Sequence, residues 1–392
     1  AVTTDDPAAG DFNITTSMTI EGAGRDATIV DGGDADRLFS AAPLFGAPGI
    51  DVRFKHLTIR RGRATYGTSN GNNRNGGGIL ARGDTRLTVF DCVLENNTAL
   101  EDGGGISAEG RILRLLDSVV RDNAAGNRAG GVANFFAYGE HNLIRRGTIR
   151  GNAGVSGGCG ILNAGLMTIE DSLIADNSCS AIQGTGGGLA TANTLTTIRN
   201  TTIRGNAAAR GGGVHTVGFS LAFTNVTIAD NTTTEIGDGI LFPVSAATTF
   251  ANVLFAGNGC ATSSPGIPLA VTSLGGNVET GDTCGLVHAT DRTHVPDAML
   301  GPLADNGGPT DTHALLPGSP AINAGVSATC TAWDQRALAR IDGACDAGAF
   351  ELGAASTLNA CGGAELADIF DDLSFGTVGC VVVGLRAEAK LS

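Results

Sequence analysis

The chain has 392 residues, a formal net charge of −14 and a pI of about 4.8. This acidity argues against nucleic acid as a partner and against binding to an anionic membrane surface, because both are negatively charged themselves. No stretch reaches the ~18 consecutive apolar residues of a membrane-spanning helix, so we expect no transmembrane segment. The sequence starts at Ala1 without a methionine, which predicts a mature protein, secreted or displayed on the cell surface after signal-peptide removal.

In chain order, the first recurrent element lies at residues 18–32, which we interpret as the first one or two coils of a repeat. Seven-residue segments that end in asparagine, such as DSLIADN at 171–177, then recur at intervals of 26, 29, 25, 29, 25 and 27 residues. An interval this regular is typical of a solenoid, in which each repeat stacks on its neighbours. The segments end at Asn97, Asn123, Asn152, Asn177, Asn206, Asn231 and Asn258.

Two further elements complete each repeat. A glycine-rich element such as GGGI at 103–106 follows each asparagine, and a β-rich run such as LTTIR at 195–199 precedes the next asparagine segment. Each repeat therefore carries three short strand signals, whereas helix signals are nearly absent. A leucine-rich repeat would show a stricter leucine pattern, and a propeller blade needs ~40 residues. The sequence predicts an all-β fold, a right-handed parallel β-helix of about eight coils, over residues 1–290.

The recurring asparagine has a physical explanation. Asparagine tolerates a left-handed backbone and can hydrogen-bond its own turn. If coils stack at the ~4.8 Å spacing of β-strands, the asparagine amides can also bond to each other and satisfy a buried corner. We therefore predict a structural ladder of these asparagines. The glycine runs mark the opposite corner, where the chain bends tightly or packs backbone against backbone.

The nine cysteines contain no CxxC motif and no Cys/His cluster with zinc spacing. Disulfides formed in an oxidising compartment are the simplest explanation of pairs at short separation. Cys92 remains, and we expect it to be a buried free thiol. The predicted pairs are Cys260 with Cys284, Cys330 with Cys345, Cys361 with Cys380 and, less firmly supported by the sequence, Cys159 with Cys179.

Catalytic signals are weak. A polygalacturonase-like site would need paired aspartates and a Gly-His-Gly loop, which the chain lacks, and we expect His215 to be an ordinary strand residue. The insertion at 133–142 holds the candidate catalytic residues Tyr138, Glu140 and His141, although its aromatic side chains also predict a loop that simply anchors itself. Arginines at 60, 121, 150, 199 and 204 fit a solvated strand face. With one tryptophan and two tyrosines, the chain offers few stacking surfaces for sugars, and we expect Trp333 to pack against the C-terminal segment.

Residues 301–351 carry four motifs in succession: DNGGPT at 305–310, LPGSPAINAG at 316–325, DQR at 334–336 and CDAGAFE at 345–351. Here the chain resembles the bacterial β-helix proteins called choice-of-anchor Q, and its upstream repeats resemble, less specifically, those of chlamydial polymorphic outer-membrane proteins. The resemblance implies an exported β-helix and no established chemistry. We expect residues 291–352 to form a closing segment and 353–392 a C-terminal cap or docking segment.

No cofactor is predicted. Asp31, Asp34 and Asp36 offer oxygen ligands for a calcium ion, although their spacing does not match an EF-hand. The leading functional hypothesis is a non-enzymatic structural or adhesive surface protein. Its partners would be further copies of itself, in a filament or sheath, or cell-surface glycans and proteins. The alternative is a polysaccharide lyase, hydrolase or glycan-binding module on the same fold.

Overall fold

The protein is a right-handed parallel β-helix, as the repeats predict. The computed structural model describes residues 11–64, 74–135, 140–192, 195–218, 220–243, 247–263, 269–340 and 343–354. Three parallel sheets run along the helix and almost all regular structure is strand. Within the described ranges, no helix is long and apolar enough to cross a bilayer.

Sheet A has ten strands, one from each coil, and from Ile79 onward they begin just after the glycine-rich corner. Its strands are β1 (Phe12–Ile14), β4 (Phe39–Ala41), β8 (Ile79–Arg82), β12 (Ile106–Glu109), β16 (Val132–Asn134), β20 (Ile161–Asn163), β24 (Leu189–Ala192), β27 (Val214–Val217), β30 (Ile240–Phe242) and β33 (Cys260–Thr262).

Sheet B has eighteen strands, because most coils contribute two successive strands to it. The first strands of each coil are β2 (Met18–Glu21), β5 (Ile50–Lys55), β9 (Thr85–Phe90), β13 (Ile112–Leu116), β17 (Asn142–Arg145), β21 (Met167–Glu170), β31 (Thr248–Ala251) and β34 (Val271–Ser273). The second strands are β3 (Ile29–Asp31), β6 (Thr58–Arg60), β10 (Val93–Glu95), β14 (Val119–Arg121), β18 (Thr148–Arg150), β22 (Leu173–Ala175), β32 (Leu254–Ala256) and β35 (Val278–Glu279). In two coils both parts form one strand, β25 (Thr196–Arg204) and β28 (Leu221–Ala229).

Sheet C is short and has little sequence signal. It contains seven strands, most of two residues: β7 (Arg63–Ala64), β11 (Thr98–Ala99), β15 (Ala124–Ala125), β19 (Ala153–Gly154), β23 (Ser178–Cys179), β26 (Ala207–Arg210) and β29 (Thr232–Ile236). The three strand signals of each repeat therefore do not correspond one to one with the three sheets. The β-rich run and the asparagine segment both belong to sheet B, and sheet C follows the asparagine.

Aliphatic side chains stack in register inside the helix. Along sheet B, Ile149 pairs with Val120 on one side and with Ile174 on the other, and all three are fully buried. Along sheet A, Val132 lies between Ile106 and Ile161 in the same way. Burying such a side chain contributes roughly 1.5–3 kcal/mol, so each coil gains stability chiefly from its neighbours.

The seven asparagines form a buried ladder between coils. From Asn123 onward, each Oδ1 accepts hydrogen bonds from the preceding asparagine: Asn177 Oδ1 receives the backbone N–H of Asn152 at 3.0 Å and its side-chain Nδ2 at 2.9 Å. The Nδ2 of Asn152 also donates to the carbonyl of Val120 at 2.9 Å. The expectation of a left-handed backbone at these asparagines is wrong. The preceding residue adopts it, as Asp176 does with φ 56°, and this turns the asparagine side chain inward.

Three disulfides are present. They join Cys159 to Cys179, Cys260 to Cys284, and Cys330 to Cys345. Cys361 and Cys380 lie outside the described residues. Cys92 is a buried free thiol, and burial raises its pKa to about 12.

The chain beyond sheet B folds back along the outside of that sheet. It contains a hairpin of β36 (Leu300–Ala304) and β37 (Thr312–Leu315), a 3-10 turn at Ser327–Thr329, and a loop to residue 354. We call residues 300–354 the C-terminal segment. Apolar side chains such as Phe350 and Leu315 pack on Leu254 of sheet B. Inside the segment, Arg340 forms a buried ion pair with Glu351.

Candidate functional site

A groove lies where the edge of the C-terminal segment meets the charged outer face of sheet B. It has a volume of about 530 Å³. Six residues of the sheet form its floor and one side, and residues 331–333 and 337 form the other side. The sheet residues are Arg145, Arg146, Glu170, Asp171, Arg199 and Asn200.

One row of the floor alternates positive and negative charge from coil to coil. Glu170 is the register partner of Arg145 in one neighbouring strand and of Arg199 in the other. The Glu170 carboxylate lies 4.0 Å from the Arg145 guanidinium and accepts a hydrogen bond from Arg199 Nη2 at 3.0 Å. Because the three side chains leave the same face of the parallel sheet one coil apart, the row is a direct consequence of the repeat. It holds two guanidinium groups around a single carboxylate.

A second row comes from the turn residues that follow directly. Arg146, Asp171 and Asn200 all have a left-handed backbone, with φ of 51°, 52° and 43°. Arg146 is fixed by Asp117, whose Oδ2 accepts its Nη2 at 2.6 Å. Asn200 donates Nδ2 to Asp171 Oδ1 at 3.1 Å.

The carboxyl of Asp171 is unusual among the acidic groups of the groove. Burial raises its pKa to about 6, and the nearby negative charge of Glu170 acts in the same direction. Hydrogen bonding from Asn200 and the positive charge of Arg145 oppose this rise without cancelling it. Asp171 therefore changes between a neutral acid and an anion within the physiological pH range.

The opposite wall presents the only tryptophan of the chain. Trp333 is 41% exposed. Hydrogen bonds of the residues two positions before and two positions after Trp333 fix its place in the chain against sheet B. Thr331 donates its hydroxyl to Asn200 Oδ1 at 2.7 Å and its backbone N–H to Asn225 Oδ1 at 3.0 Å. Gln335, fully buried, accepts the hydroxyl of Thr202 at 2.7 Å.

Together these groups offer a flat indole surface beside three guanidinium groups and two carboxyls. An indole face stacks on the C–H face of a sugar ring, while guanidinium groups recognise carboxylates through paired N–H donors. Positive groups outnumber negative ones, and more so when Asp171 is protonated. The groove is therefore suited to a ring-shaped polar ligand with negative charge.

No family model and no curated protein matches this chain. Among solved structures, the chain is similar to one titled "Crystal structure of pectate lyase Pel9A", with 15% sequence identity and a TM-score of 0.39. The alignment covers 87% of this chain and 86% of that one.

Two of the candidate catalytic residues of the 133–142 insertion, Glu140 and His141, lie outside the groove and have structural partners. Glu140 forms an ion pair with Arg111, and His141 Nε2 lies 2.7 Å from Thr168 Oγ1. Tyr138 lies outside the described residues. His215 is a half-buried strand residue of sheet A, and burial lowers its pKa to about 4.

Two of the three aspartates considered for calcium bond to protein partners. Asp31 pairs with Arg60 Nε at 2.8 Å and with Arg61, and these contacts lower its pKa to about 2. Asp36 Oδ1 accepts the backbone N–H of Arg37 at 2.7 Å. Asp34 adopts a left-handed backbone with φ 60°. In the part of the chain that the structure describes, no group of three or more His, Cys, Asp or Glu side chains is arranged to hold a metal ion.

The groove is not apparent from the sequence. The sequence predicts that Trp333 packs against the C-terminal segment, and that Arg199 lies in one solvated column with Arg60, Arg121, Arg150 and Arg204. Instead Arg199 belongs to the row of Glu170, and Arg204 to another. One usable signal existed: Asp171 and Asn200 occupy the first position of the seven-residue segments, where the side chain faces outward.

Proposed function

We propose that the protein is an extracellular β-helix that binds an acidic oligosaccharide in the groove beside Trp333. The observation that supports this most directly is the exposed side chain of Trp333 in a groove that Arg145 and Arg199 also line. A half-exposed tryptophan in a polar groove loses apolar contact with water when a sugar ring stacks on it. This is the glycan-directed form of the adhesive surface role that the sequence predicts.

Charge favours a uronic acid over a neutral sugar. A carboxylate on the ligand would find three arginines, of which Arg146 is already paired with Asp117. Arg145 is only loosely paired, at 4.0 Å from Glu170, and its buried Nε has no hydrogen-bond partner among the described residues. Arg145 is therefore the guanidinium best able to receive a new anion, and Trp333 the surface that orients the ring.

The test uses the intrinsic fluorescence of Trp333, since no other tryptophan contributes. Titration with oligogalacturonides, alginate oligosaccharides and hyaluronan fragments should change the emission for at least one of them. The substitution Trp333→Ala should weaken binding, as measured by calorimetry, about tenfold, which is the effect expected for loss of one stacking contact. Phe45→Ala is the matched control, because Phe45 is fully exposed and outside the groove. Equal affinity of Trp333→Ala and the parent protein would overturn the proposal.

The pH dependence of binding follows from Asp171. Deprotonation of this carboxyl through a pKa of about 6 adds a negative charge to the groove. Affinity for a uronate that stays ionised should therefore fall as pH rises from 5 to 7, roughly spanning that pKa. In Asp171→Asn the affinity should be flat over this range. A parent protein whose affinity is constant across this interval would show that Asp171 does not face the ligand.

Cleavage of the polysaccharide is a second candidate function, favoured by one observation. Asp171, whose pKa burial raises to about 6, can hold or release a proton beside the carboxyl of Glu170, which is a requirement of acid–base catalysis. Incubation with the oligosaccharides that bind should then yield new reducing ends, for hydrolysis, or unsaturated uronate products, for elimination. Binding without either product would leave a glycan-binding module.

End-to-end self-association is a third candidate, favoured by the N-terminal coil. Strands β1, β2 and β3 each pair with a following strand, and none pairs with a preceding one among the described residues. Phe12, Met18 and Ile29 of these strands are exposed. Open strand edges with apolar side chains favour pairing with another chain. Fibres in electron micrographs that vanish with Phe12→Lys would support a filament, and a monomer in size-exclusion chromatography of the parent would exclude it.

We also infer that the protein is exported, as the choice-of-anchor Q resemblance implies. The three disulfides support this, because disulfides persist in oxidising compartments. Detection of the mature chain in the culture medium or on intact cells, and not in the cytosol, tests this inference.

A further inference from the structure

A second pocket lies at the other side of the C-terminal segment, between its hairpin and the turn that ends sheet B. It has a volume of about 760 Å³. Arg204, Asp230 and Asp297 provide its charged groups, and His313 of β37 lines it as well. It shares no residue with the groove beside Trp333.

His313 brings an unpaired acceptor to this pocket. The side chain is only 5% exposed, and burial lowers the pKa of its ring, so that the ring is neutral at neutral pH. Its Nδ1 lies 2.8 Å from the carbonyl oxygen of Gly301. Because a carbonyl only accepts, Nδ1 carries the proton and Nε2 carries a lone pair. The buried Nε2 has no hydrogen-bond partner among the described residues.

Arg204 brings an unpaired donor to the same pocket. Its Nη1 donates to Asp176 Oδ1 at 3.0 Å, and its Nη2 lies 3.8 Å from Asp230. Its Nε is buried and, within the described ranges, has no acceptor. Arg204 and His313 line the same pocket, and the charge of Arg204 lowers the pKa of the His313 ring further. Buried polar atoms without partners are unfavourable, so a ligand that pairs both atoms removes this cost when it binds.

The two unpaired atoms select the chemistry of the ligand. A carboxylate only accepts hydrogen bonds, so it cannot donate to His313, and Asp230 and Asp297 would repel it. An ammonium group only donates, and Arg204 would repel it. A hydroxyl both accepts and donates. The apolar part of the wall, from Pro296, Leu300 and neighbouring residues, suits the C–H face of a ring.

We propose that this pocket binds a neutral hexopyranose, one hydroxyl of which accepts a hydrogen bond from Arg204 Nε and donates one to His313 Nε2. The inference rests on the proposed carbohydrate-binding function but uses different residues. It specifies the ligand as a heteropolysaccharide: the groove beside Trp333 takes its acidic sugar and the pocket of His313 its neutral sugar.

The experiment measures, by ligand-observed NMR, the binding of the methyl glycosides of glucose, galactose and mannose to the full chain. His313→Asn is the informative variant. Its amide N–H replaces Nδ1–H toward Gly301, while nothing replaces the lone pair of Nε2. We expect it to bind the preferred sugar about tenfold more weakly, the effect of one lost hydrogen bond to a buried group.

A measurement without a variant guards against misfolding. The ¹⁵N resonance of His313 Nε2 in the parent protein should move when the sugar saturates the pocket, because the lone pair becomes hydrogen-bonded. An unchanged resonance, or equal affinity of His313→Asn and the parent, would overturn the inference and leave an ordered water as the partner.

The experiments distinguish a failure of the pocket proposal from a failure of the groove proposal. Trp333→Ala should not change binding of the neutral glycoside, and His313→Asn should not change binding of the acidic oligosaccharide. Acidic binding that depends on Trp333, with no neutral sugar bound, would overturn only the pocket. Loss of both kinds of binding in the parent protein would overturn the carbohydrate function itself.

Discussion

Asn177 lies near the middle of the asparagine ladder, and its replacement by alanine tests whether the ladder holds the coils together. In the native protein Asn177 Oδ1 accepts both the backbone N–H and the Nδ2 of Asn152, at 3.0 and 2.9 Å. Its own Nδ2 donates to the carbonyl of Ile149 at 3.0 Å and to Asn206 Oδ1 at 2.9 Å. Alanine leaves two buried donors of Asn152 unpaired. At roughly 1–3 kcal/mol for each, the free energy of unfolding should fall by about 4 kcal/mol.

The ladder predicts a graded effect. Among the described residues, Asn97 Oδ1 accepts only the backbone N–H of Gly62, so Asn97→Ala leaves one donor unpaired and should destabilise the protein by about 2 kcal/mol. Urea unfolding with the disulfides intact, monitored by circular dichroism and by Trp333 fluorescence, measures both. Asn13→Ala is the control, since the Asn13 side chain is exposed and lies outside the ladder, where it donates to Asp11. If Asn177→Ala unfolds at the same urea concentration as Asn13→Ala, the ladder does not stabilise the coils.

Three further predictions concern the cysteines and calcium. Replacing Cys159 and Cys179 together by serine should lower the free energy of unfolding by about 3 kcal/mol, because their disulfide closes a loop of 20 residues; an unchanged melting curve would refute this. The buried thiol of Cys92, whose pKa is raised to about 12, should resist iodoacetamide in the native protein and react after denaturation, as peptide mass spectrometry would show. Because Asp31 already pairs with Arg60, neither calcium nor EDTA should change the melting temperature. A higher melting temperature in the presence of calcium would instead identify a cation site.

The stacking of the coils was predictable because it depends on residues that recur. The intervals between the ladder asparagines place Asn97 beside Asn123 and Asn123 beside Asn152, and the structure pairs those residues. A one-residue error in register would turn the apolar side chains outward and bury the outward-facing polar ones, so the apolar pattern fixes the alignment of neighbouring coils. The fold class therefore follows from a local pattern repeated along the chain.

Sheet C and the C-terminal segment were not predictable in the same way. Thr98–Ala99 is too short to show an alternating pattern, and only its stacked neighbours make it a strand. The segment docks through contacts between residues far apart in sequence, such as Thr202 with Gln335, 133 residues later. Such a pairing repeats nowhere in the chain, so no period reveals it.

The row of turn residues along sheet B shows why part of the candidate site was visible in the sequence and part was not. Asn200, Asn225 and Asn252 begin their seven-residue segments, where earlier coils carry aspartate or arginine. All three bond to the C-terminal segment: Asn225 Oδ1 accepts the N–H of Thr331 at 3.0 Å, and Asn252 Oδ1 that of Val326 at 2.7 Å. The change from charged to amide side chains marks the docking surface, but the sequence alone does not say what docks there.

The outer face of sheet B also explains why the groove lies where it does. In the column that contains Arg204, the next two coils carry Ala229 and Ala256, and both pack in the apolar cluster of the C-terminal segment. Most earlier coils keep a charged side chain in this column, Ala175 being the exception, and some of these charges pair across coils, as Arg121 does with Glu95. A paired, solvated row of charges offers little affinity by itself. Ligand recognition therefore requires the boundary between the two regions, where the segment brings Trp333 against charges that the helix has already positioned.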